Sequence, residues 1–260
     1  MIVFLIPLPH PKSCLLYSRV ASLLEDTLRS VCSQEDPDYH VIVICSEPPA
    51  VAWDHPHVEY LRVNFEPLGA VRKGFRTDSG IRTDKGCRLF LGLQHARRLA
   101  PSHVMFVDDD DFISNRISAH VRRYRDANGW VIAQGYRYAH GSSRLAVADD
   151  FNLRCGSCHI IRYELLGLHS ELPTDASKED ILARVDSYYL KRVIGGHRRA
   201  PRFFARKGTP LQPLPFRGAV YHLNHGGNFS GTRSYGRLAT VPLTDELRRE
   251  FAIPDHCNKP

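Results

Sequence analysis

Four consecutive aspartates, Asp108 to Asp111, directly follow an apolar run at residues 104–107. An apolar run that ends in carboxylates is typical of a buried strand that places acidic side chains at the edge of a sheet. Four carboxylates this close raise one another's pKa unless a cation compensates them. The hard cations Mg²⁺ and Mn²⁺ prefer carboxylate oxygens and accept phosphate as a further ligand. The run therefore predicts a metal and phosphate site, and the alternative is a solvated acidic turn that caps the next helix.

Two further groups of residues have the types needed to bind an anion. Asp84, Lys85 and Arg88 stand where the helix before the aspartate run is predicted to begin. A helix N-terminus with nearby cations is an anion site, and an ordinary capped helix with solvated charges is the alternative. Polar residues at 221–230 lie between glycines, which suits a loop that closes over an anion. The candidate phosphate contacts of this loop are Asn228, Ser230 and Arg233.

Hydrophobic periodicity predicts the elements that position these side chains. Continuous apolar runs at 2–5, 41–45 and, more weakly, 58–63 predict buried parallel strands, and helical spacing at 17–32 joins the first two. The remaining predicted elements are a basic loop at 66–86, helices at 86–99, 115–127 and 179–194, and a strand at 131–138. This order predicts one α/β domain with a mostly parallel sheet flanked by helices.

The carboxyl ends of parallel strands are where open α/β sheets bind their ligands. Residues that follow the first, second and aspartate-bearing strands are therefore predicted to gather around one crevice. These residues are Pro7 and Leu8, Ser46 and Glu47, and the four aspartates.

Composition limits the class of protein. The hydrophobic content of 43% is enough for a full core. No apolar stretch reaches the ~20 residues of a transmembrane helix, and the N-terminal run lacks the basic region of a signal peptide. Seven cysteines, an odd number, are typical of reduced buried thiols, so a cytoplasmic protein is expected. The net charge of +7 allows an anionic ligand or peripheral association with an anionic membrane, while basic residues without interleaved aromatics argue against nucleic acid.

Four segments of the chain together resemble the GT-A fold glycosyltransferases, in particular those of the family 2 type. These segments lie at 6–8, 24–34, 41–45 and 106–111. The resemblance implies a GT-A domain over residues 1–220, built on a Rossmann-like, mostly parallel sheet. It also implies an irregular C-terminal segment, 221–260, that folds over the active site. The implied donor is a nucleoside diphosphate sugar, with a UDP-sugar as the first expectation, and the implied cofactor is Mn²⁺ or Mg²⁺.

Carried over residue by residue, the resemblance assigns roles around the crevice. Pro7 and Leu8 would line the nucleotide pocket. Asp108 and Asp109 would lie on the nucleotide side of the aspartate run. Asp110 would bind the metal, with Asp109 or Asp111 as the second choice. The remaining contacts around the nucleotide would be Asp84, Lys85 and Arg88.

Three assignments rest on looser matches to the family. An inverting transferase needs a carboxylate that deprotonates the acceptor hydroxyl, and the resemblance places it on a late helix, at Asp186 or, as a second choice, at Asp180. Both residues are equally compatible with ordinary helix acids. His225 would complete the metal shell, with His222 as the second choice. Glu47 stands where the family has an acidic residue that recognises the base, and a solvated turn residue is equally compatible.

These residues predict a metal-dependent inverting glycosyltransferase. It would move a hexose from a nucleoside diphosphate sugar to the hydroxyl of a glycan or other acceptor, in surface polysaccharide or glycoconjugate synthesis. Two alternatives stay open. A nucleotidyltransferase that forms nucleotide sugars needs a glycine-rich loop after the first strand, where this chain has Pro7, Pro9 and Pro11. A non-catalytic protein would bind nucleotide sugars or glycans without turnover.

Overall fold

The computed structural model describes residues 1–14, 16–67, 78–168, 172–173, 175–225 and 238–255, with residues 78 and 79 by their backbone alone. The α-helices in this part of the chain are α1 (Tyr17–Val31), α2 (Asp78–Ala96), α3 (Ile117–Arg123), α4 (Lys178–Arg184), α5 (Ala200–Arg206) and α6 (Asp245–Phe251). The first strands are β1 (Ile2–Pro7), β2 (Tyr39–Cys45), β3 (Val58–Arg62), β4 (His103–Phe106), β5 (Phe112–Ile113) and β6 (Gly129–Val131). The later strands are β7 (Gly135–Ala139), β8 (Arg144–Ala148), β9 (His159–Arg162), β10 (Gln212–Pro213), β11 (Ala219–Leu223) and β12 (Thr240–Pro242).

The larger sheet contains seven of the described strands, in the order β10–β6–β9–β4–β1–β2–β3. Strands β3, β2, β1 and β4 are parallel. Strand β9 runs antiparallel to both of its neighbours, β4 and β6. This confirms the predicted mostly parallel sheet. Because the parallel strands share one direction, their carboxyl ends meet at one edge, as the sequence predicts.

The two faces of this sheet are covered by different helices. Along β1, Phe4 belongs to the same buried cluster as Leu24 of α1, and Leu5 belongs to the cluster that contains Leu89 of α2. All four side chains are fully buried. A strand buried on both faces needs apolar side chains at every position, which explains why β1 and β2 read as continuous apolar runs.

A smaller mixed sheet joins five further strands of the described chain, in the order β12–β8–β7–β11–β5. The single strand predicted at 131–138 is wrong, because its two halves belong to different sheets as β6 and β7. Strand β11 lies between β7 and β5 and is antiparallel to β5. Since β5 begins immediately after Asp111, this pairing brings the residues that follow β11 beside the aspartate run.

Two predicted helix boundaries are also wrong. Helix α2 begins at Asp78 rather than at Gly86. The turns before Gly86 also pack against later parts of the chain, since Asp84 pairs with Lys178 and the Arg82 carbonyl closely approaches Gly195. Asp84, Lys85 and Arg88 therefore lie within α2 rather than at its N-terminus, and their contact with an anion stays a prediction. The helix predicted at 179–194 is two segments, α4 and a π-type turn at Tyr189–Ile194, separated by an extended Val185.

The domain boundary predicted between residues 220 and 221 stays a prediction, although strand β11 runs across it. The candidate phosphate contacts Asn228, Ser230 and Arg233 lie outside the described residues. Within the described ranges, no helix combines the length and apolar character needed to cross a bilayer.

Candidate active site

The residues predicted to surround a crevice lie at the carboxyl edge of the larger sheet. The Leu8 N–H donates to the Ile44 carbonyl at 2.8 Å, and the Val107 N–H donates to the Leu5 carbonyl at 3.0 Å. These bonds continue the parallel ladder just beyond the ends of β1 and β4. Pro7 and Leu8 are buried there, next to the start of the aspartate run.

Asp108 forms an ion pair with Lys85 of α2. Its backbone N–H donates to the Ser157 hydroxyl at 2.8 Å. Burial disfavours the charged carboxylate, but the Lys85 ammonium more than offsets burial and lowers the pKa of Asp108. Space is tight at this point, since a Cβ on Gly156 would lie 2.5 Å from the Asp108 carboxylate. Asp108 is thus ionised, neutralised by Lys85 and fixed in orientation.

Asp111 is fully buried and holds three segments together. The Ser157 hydroxyl donates to its Oδ2 at 2.6 Å and the Cys155 thiol donates to the same atom at 2.9 Å. The His222 backbone N–H donates to Oδ1 at 3.3 Å. Burial, and then the charges of the neighbouring aspartates, raise the pKa of Asp111 well above its ordinary value. Asp111 therefore ties the 155–157 turn and β11 to the aspartate run.

Asp110 and His225, the two predicted metal ligands, are close to one another. The Nε2 atom of His225 lies 3.0 Å from Oδ2 of Asp110, and the His225 side chain is almost fully buried. The His225 carbonyl accepts a hydrogen bond of 2.9 Å from Arg19 Nε, which anchors this part of the chain to α1. A carboxylate oxygen and an imidazole nitrogen at this separation are compatible with two adjacent ligands of one Mn²⁺ or Mg²⁺ ion.

A second set of ligand atoms, from Asp108, Asp111 and Cys155, lies within 4.8 Å of one another. This set fits a hard cation less well. Asp108 is already neutralised by Lys85, and one oxygen of Asp111 already accepts two hydrogen bonds. Burial, and then the nearby aspartates, raise the pKa of the Cys155 thiol well above its ordinary value, so the thiolate that binds metals is disfavoured.

His222, the second choice for a metal ligand, packs behind His225. Its ring is fully buried, with its centroid 4.7 Å from that of His225. Its Nε2 lies 3.0 Å from Nδ1 of His140. The imidazole of His222 therefore supports the ring of His225 and links it to β7, which ends at Ala139.

The edge beyond β2 carries a buried cationic group. Arg88, which is 1% exposed, donates through Nε to Asp84 at 2.8 Å and through Nη1 to the Ser46 hydroxyl at 3.2 Å. The Lys178 ammonium lies 2.7 Å from the other oxygen of Asp84. Two cations share one carboxylate here, so the group carries a net positive charge. Glu47 is exposed, and its backbone carbonyl accepts the Tyr17 hydroxyl at 2.7 Å.

The two candidate catalytic bases are exposed and take part in helix caps. Asp180 forms a capping box with Ser177, and hydrogen bonds from Ser177 lower the pKa of its carboxylate. Asp186 accepts the Tyr189 backbone N–H at 2.7 Å, which begins the next helical segment. Their catalytic role stays a prediction.

A cleft lies between the 155–157 turn, α2 and the end of the π-type turn. It is narrow, with room for about one water molecule. Its lining residues are Lys85, Phe106, Gly156, His159, Val193, Ile194, Gly196 and His197. Sequence reasoning missed His197, and the one signal available was its position directly after the glycine pair at 195–196 that ends the helix.

Comparison with family models gives no match for this chain, and comparison with curated proteins gives none. Among solved structures, S. aureus TarS 1-349 is similar at a TM-score of 0.41 and 10% identity, over 85% of this chain and 60% of that one. A protein provisionally assigned as a nucleotide-diphospho-sugar transferase, from Desulfovibrio desulfuricans G20, is similar at a TM-score of 0.38 and 9% identity, over 85% and 80% of the two chains.

A third solved structure is 4-diphosphocytidyl-2C-methyl-D-erythritolsynthase from Anaerococcus prevotii DSM 20548. It is similar at a TM-score of 0.39 and 14% identity, over 91% of this chain and 93% of that one. This chain covers 36% of a longer structure of S. aureus TarS. The similarity to these proteins concerns the α/β fold, and the function of the chain is inferred from its own site.

Asp109→Asn is expected to stabilise the metal-free protein. Burial, and then the charges of Asp110 and Asp108, raise the pKa of Asp109 from 3.8 to about 8. Between these values the folded state holds a proton that the unfolded state has lost, so the stability contribution of Asp109 falls as pH rises. An asparagine has no such proton. We expect the free energy of unfolding at pH 7 to rise by about 1 kcal/mol or more.

Urea unfolding in EDTA at several pH values between 5 and 8 measures this effect. The difference between variant and wild type should grow with pH. A variant that is no more stable than the wild type at pH 8 would show that the aspartates are already compensated without a metal.

Proposed function

We propose that this protein is a metal-dependent inverting glycosyltransferase that transfers a hexose from a nucleoside diphosphate sugar to an acceptor hydroxyl. The main support for this proposal is that the aspartates of the run lie in different environments. Asp108 is paired with Lys85, Asp111 is buried as a structural anchor, and Asp110 faces the buried His225. Asp110 and His225 place a carboxylate oxygen and an imidazole nitrogen 3.0 Å apart, which suits a cation that carries phosphate.

The charges around the crevice support a nucleoside diphosphate as the ligand. The Arg88 and Lys178 cations, which share Asp84, supply positive charge beyond β2, where Ser46 lies. Pro7 and Leu8 are buried at the end of β1, so they would support a nucleotide pocket from beneath. A ligand with two phosphates matches the positive charge at this edge of the sheet.

Asp110 and His225 would hold Mn²⁺ or Mg²⁺, and the bound ion would supply the positive charge that stabilises the departing diphosphate. The chain's own residues orient this arrangement. Lys85 holds Asp108, and the Ser157 hydroxyl and the Cys155 thiol hold Asp111, so the carboxylates keep one geometry when a donor binds. Preorganised charges of this kind cost no rearrangement during the reaction.

A thermal-shift screen of UDP, GDP, CDP, ADP and dTDP tests the proposal. One diphosphate, with UDP expected first, should raise the melting temperature by several degrees with Mn²⁺ and by much less in EDTA. A ligand at 100 times its Kd stabilises the native state by about 2.7 kcal/mol. The matched control is the corresponding monophosphate, which lacks the second phosphate and should give a small shift.

Release of the diphosphate from the matching nucleotide sugar completes this test. Metal-dependent release is the expected result. Binding without release from any nucleotide sugar would favour a non-catalytic binding protein. The absence of a metal-dependent shift with all five diphosphates would refute the proposal.

A further inference from the structure

The positive charge of this chain is concentrated in one segment. No aspartate or glutamate occurs between Asp186 and Asp245, whereas ten lysines and arginines do. Since the net charge of the whole chain is +7, the rest of the chain is slightly acidic. We propose that the part of this segment around α5 is a docking surface for a bilayer that contains anionic lipids. This inference does not rest on the proposed function, because bilayer binding requires neither a sugar donor nor a metal.

Helix α5 presents a row of three arginines to solvent. Arg199 is the residue before the helix, and Arg202 and Arg206 follow it at helical spacing. Residues at this spacing lie on one face of a helix. All three are exposed, whereas Ala200 and Phe204 on the opposite side of the helix are buried in the core. Arg199, Arg202 and Arg206 are called the α5 arginine row below.

The α5 arginine row is extended at both ends by a further exposed cation. Arg198 precedes it, and Lys207 follows it. Within the described ranges, none of these five cations pairs with a carboxylate, whereas Arg122 on α3 pairs with Asp36 at 2.8 Å. The charge of the five side chains is therefore available to an anionic partner.

The shape of this surface favours a bilayer over a soluble polyanion. The α5 arginine row lies on the outer side of a helix, which is convex, and the two phenylalanines of α5 are not exposed beside it. Single-stranded nucleic acids, in contrast, are held in charged grooves that contain aromatic side chains on which the bases stack. A convex face with several cations is better suited to a flat anionic surface.

Two exposed side chains with apolar character belong to segments that contact this surface. Leu153 is 47% exposed, and its carbonyl accepts a hydrogen bond of 3.0 Å from Arg198. Tyr188 is 49% exposed and directly precedes Tyr189, whose ring centroid lies 5.7 Å from that of Phe203 on α5. Cations beside leucine and tyrosine side chains are typical of surfaces that lie at the level of lipid headgroups.

The surface adjoins the candidate active site. Arg198 directly follows His197, which lines the narrow cleft together with Lys85. The Lys85 ammonium in turn pairs with Asp108, the first residue of the aspartate run. A bilayer bound at α5 would therefore lie beside the carboxyl edge of the larger sheet, which is the edge that carries the aspartates.

Sedimentation with lipid vesicles tests the inference on the full chain. The probes are vesicles of phosphatidylcholine alone and vesicles in which about a third of the lipid is phosphatidylglycerol, whose negative charge attracts cations. We expect binding to the anionic vesicles at about 0.1 M salt, no binding to the neutral vesicles, and loss of binding at about 0.5 M salt, where charges are screened. The combined variant Arg199→Gln, Arg202→Gln and Arg206→Gln should bind the anionic vesicles about 100-fold more weakly, at about fivefold for each charge removed.

A matched control removes the same number of charges from another exposed surface. It combines Arg122→Gln, Arg123→Gln and Arg125→Gln, three exposed residues at and just after the end of α3. Charges that do not face the bilayer are screened, so this control should stay within about threefold of the wild type. Lysine at all three positions of the α5 arginine row keeps the charge and should keep the affinity within about threefold. If the combined glutamine variant fails to fold, Arg202→Gln alone, with a loss of about fivefold, keeps the test in force.

Three results would overturn the inference. The first is a wild-type protein that does not sediment with anionic vesicles. The second is an equal loss of binding in the α3 control and the α5 variant, which would assign the binding to net charge rather than to α5. The third is binding of the wild type to polyphosphate, a soluble polyanion, without binding to the vesicles. None of these results affects the thermal-shift test of donor binding, so the two proposals fail independently.

Discussion

Asp110→Asn is expected to lower donor turnover by about 10²–10³-fold, the effect of removing one group that stabilises charge in the transition state. The amide keeps the size of the side chain but has no negative charge with which to bind a divalent cation. Because Asp110 is partly exposed, the fold should be preserved. The measurement is the initial rate of diphosphate release over a range of Mn²⁺ concentrations. The concentration needed for half-activation should rise together with the loss of rate.

Cys155→Ser is the matched control, since it changes a ligand atom of the alternative set formed with Asp108 and Asp111. A serine hydroxyl can still donate to Asp111, so metal activation should remain close to that of the wild type. The assignment of the metal to Asp110 and His225 fails if Asp110→Asn keeps normal metal activation while Cys155→Ser loses it.

Gly86→Ala is expected to destabilise the protein more than Gly92→Ala, which adds a methyl group to the same helix. A Cβ at Gly86 would overlap the backbone of Leu190, and a backbone cannot move aside as the end of a side chain can. The gain in helix propensity from alanine is at most about 1 kcal/mol. Overpacking typically costs about 1–3 kcal/mol, and contact with a backbone that cannot shift lies at the upper end of that range. The net free energy of unfolding should fall, and urea unfolding measures the change.

Gly92→Ala is the control in the same helix. A Cβ there would lie 2.9 Å from Cδ1 of Ile44, a side-chain terminus that can change rotamer. We expect this variant to stay within about 1 kcal/mol of the wild type, because propensity and crowding oppose one another. Equal destabilisation by both variants would mean that the contact between α2 and the π-type turn is more compliant than its geometry indicates.

The sequence predicts the carboxyl edge of the larger sheet well, because the apolar pattern of the strands there matches the burial of their side chains. Strands β1 and β2 are covered on both faces, so their apolar runs are unambiguous, and the aspartates must then follow a strand end. The four aspartates, in contrast, are residues of one type in different surroundings. Lys85 pairs with the first and Ser157 anchors the last, and both contacts come from other parts of the fold.

The features that the sequence did not predict depend on contacts between distant segments. The smaller sheet consists of short strands, and apart from the neighbouring β7 and β8 they pair with strands far along the chain. The break at Val185 separates two segments whose apolar spacing reads as one helix. His197 lines the cleft only because the π-type turn packs against α2. The hydrophobic periodicity of the sequence does not indicate that contact.

The pairing of β11 with the aspartate run has a consequence for biosynthesis. The His222 N–H and the Asp111 carboxylate that accepts it are 111 residues apart, and Arg19 meets the His225 carbonyl across 206 residues. Closing loops of this length costs chain entropy, and contacts so distant in sequence form slowly. A growing chain therefore contains the acidic edge long before it contains the histidine that faces it. A metal site that uses both residues would therefore become available only after residue 225 has been synthesised.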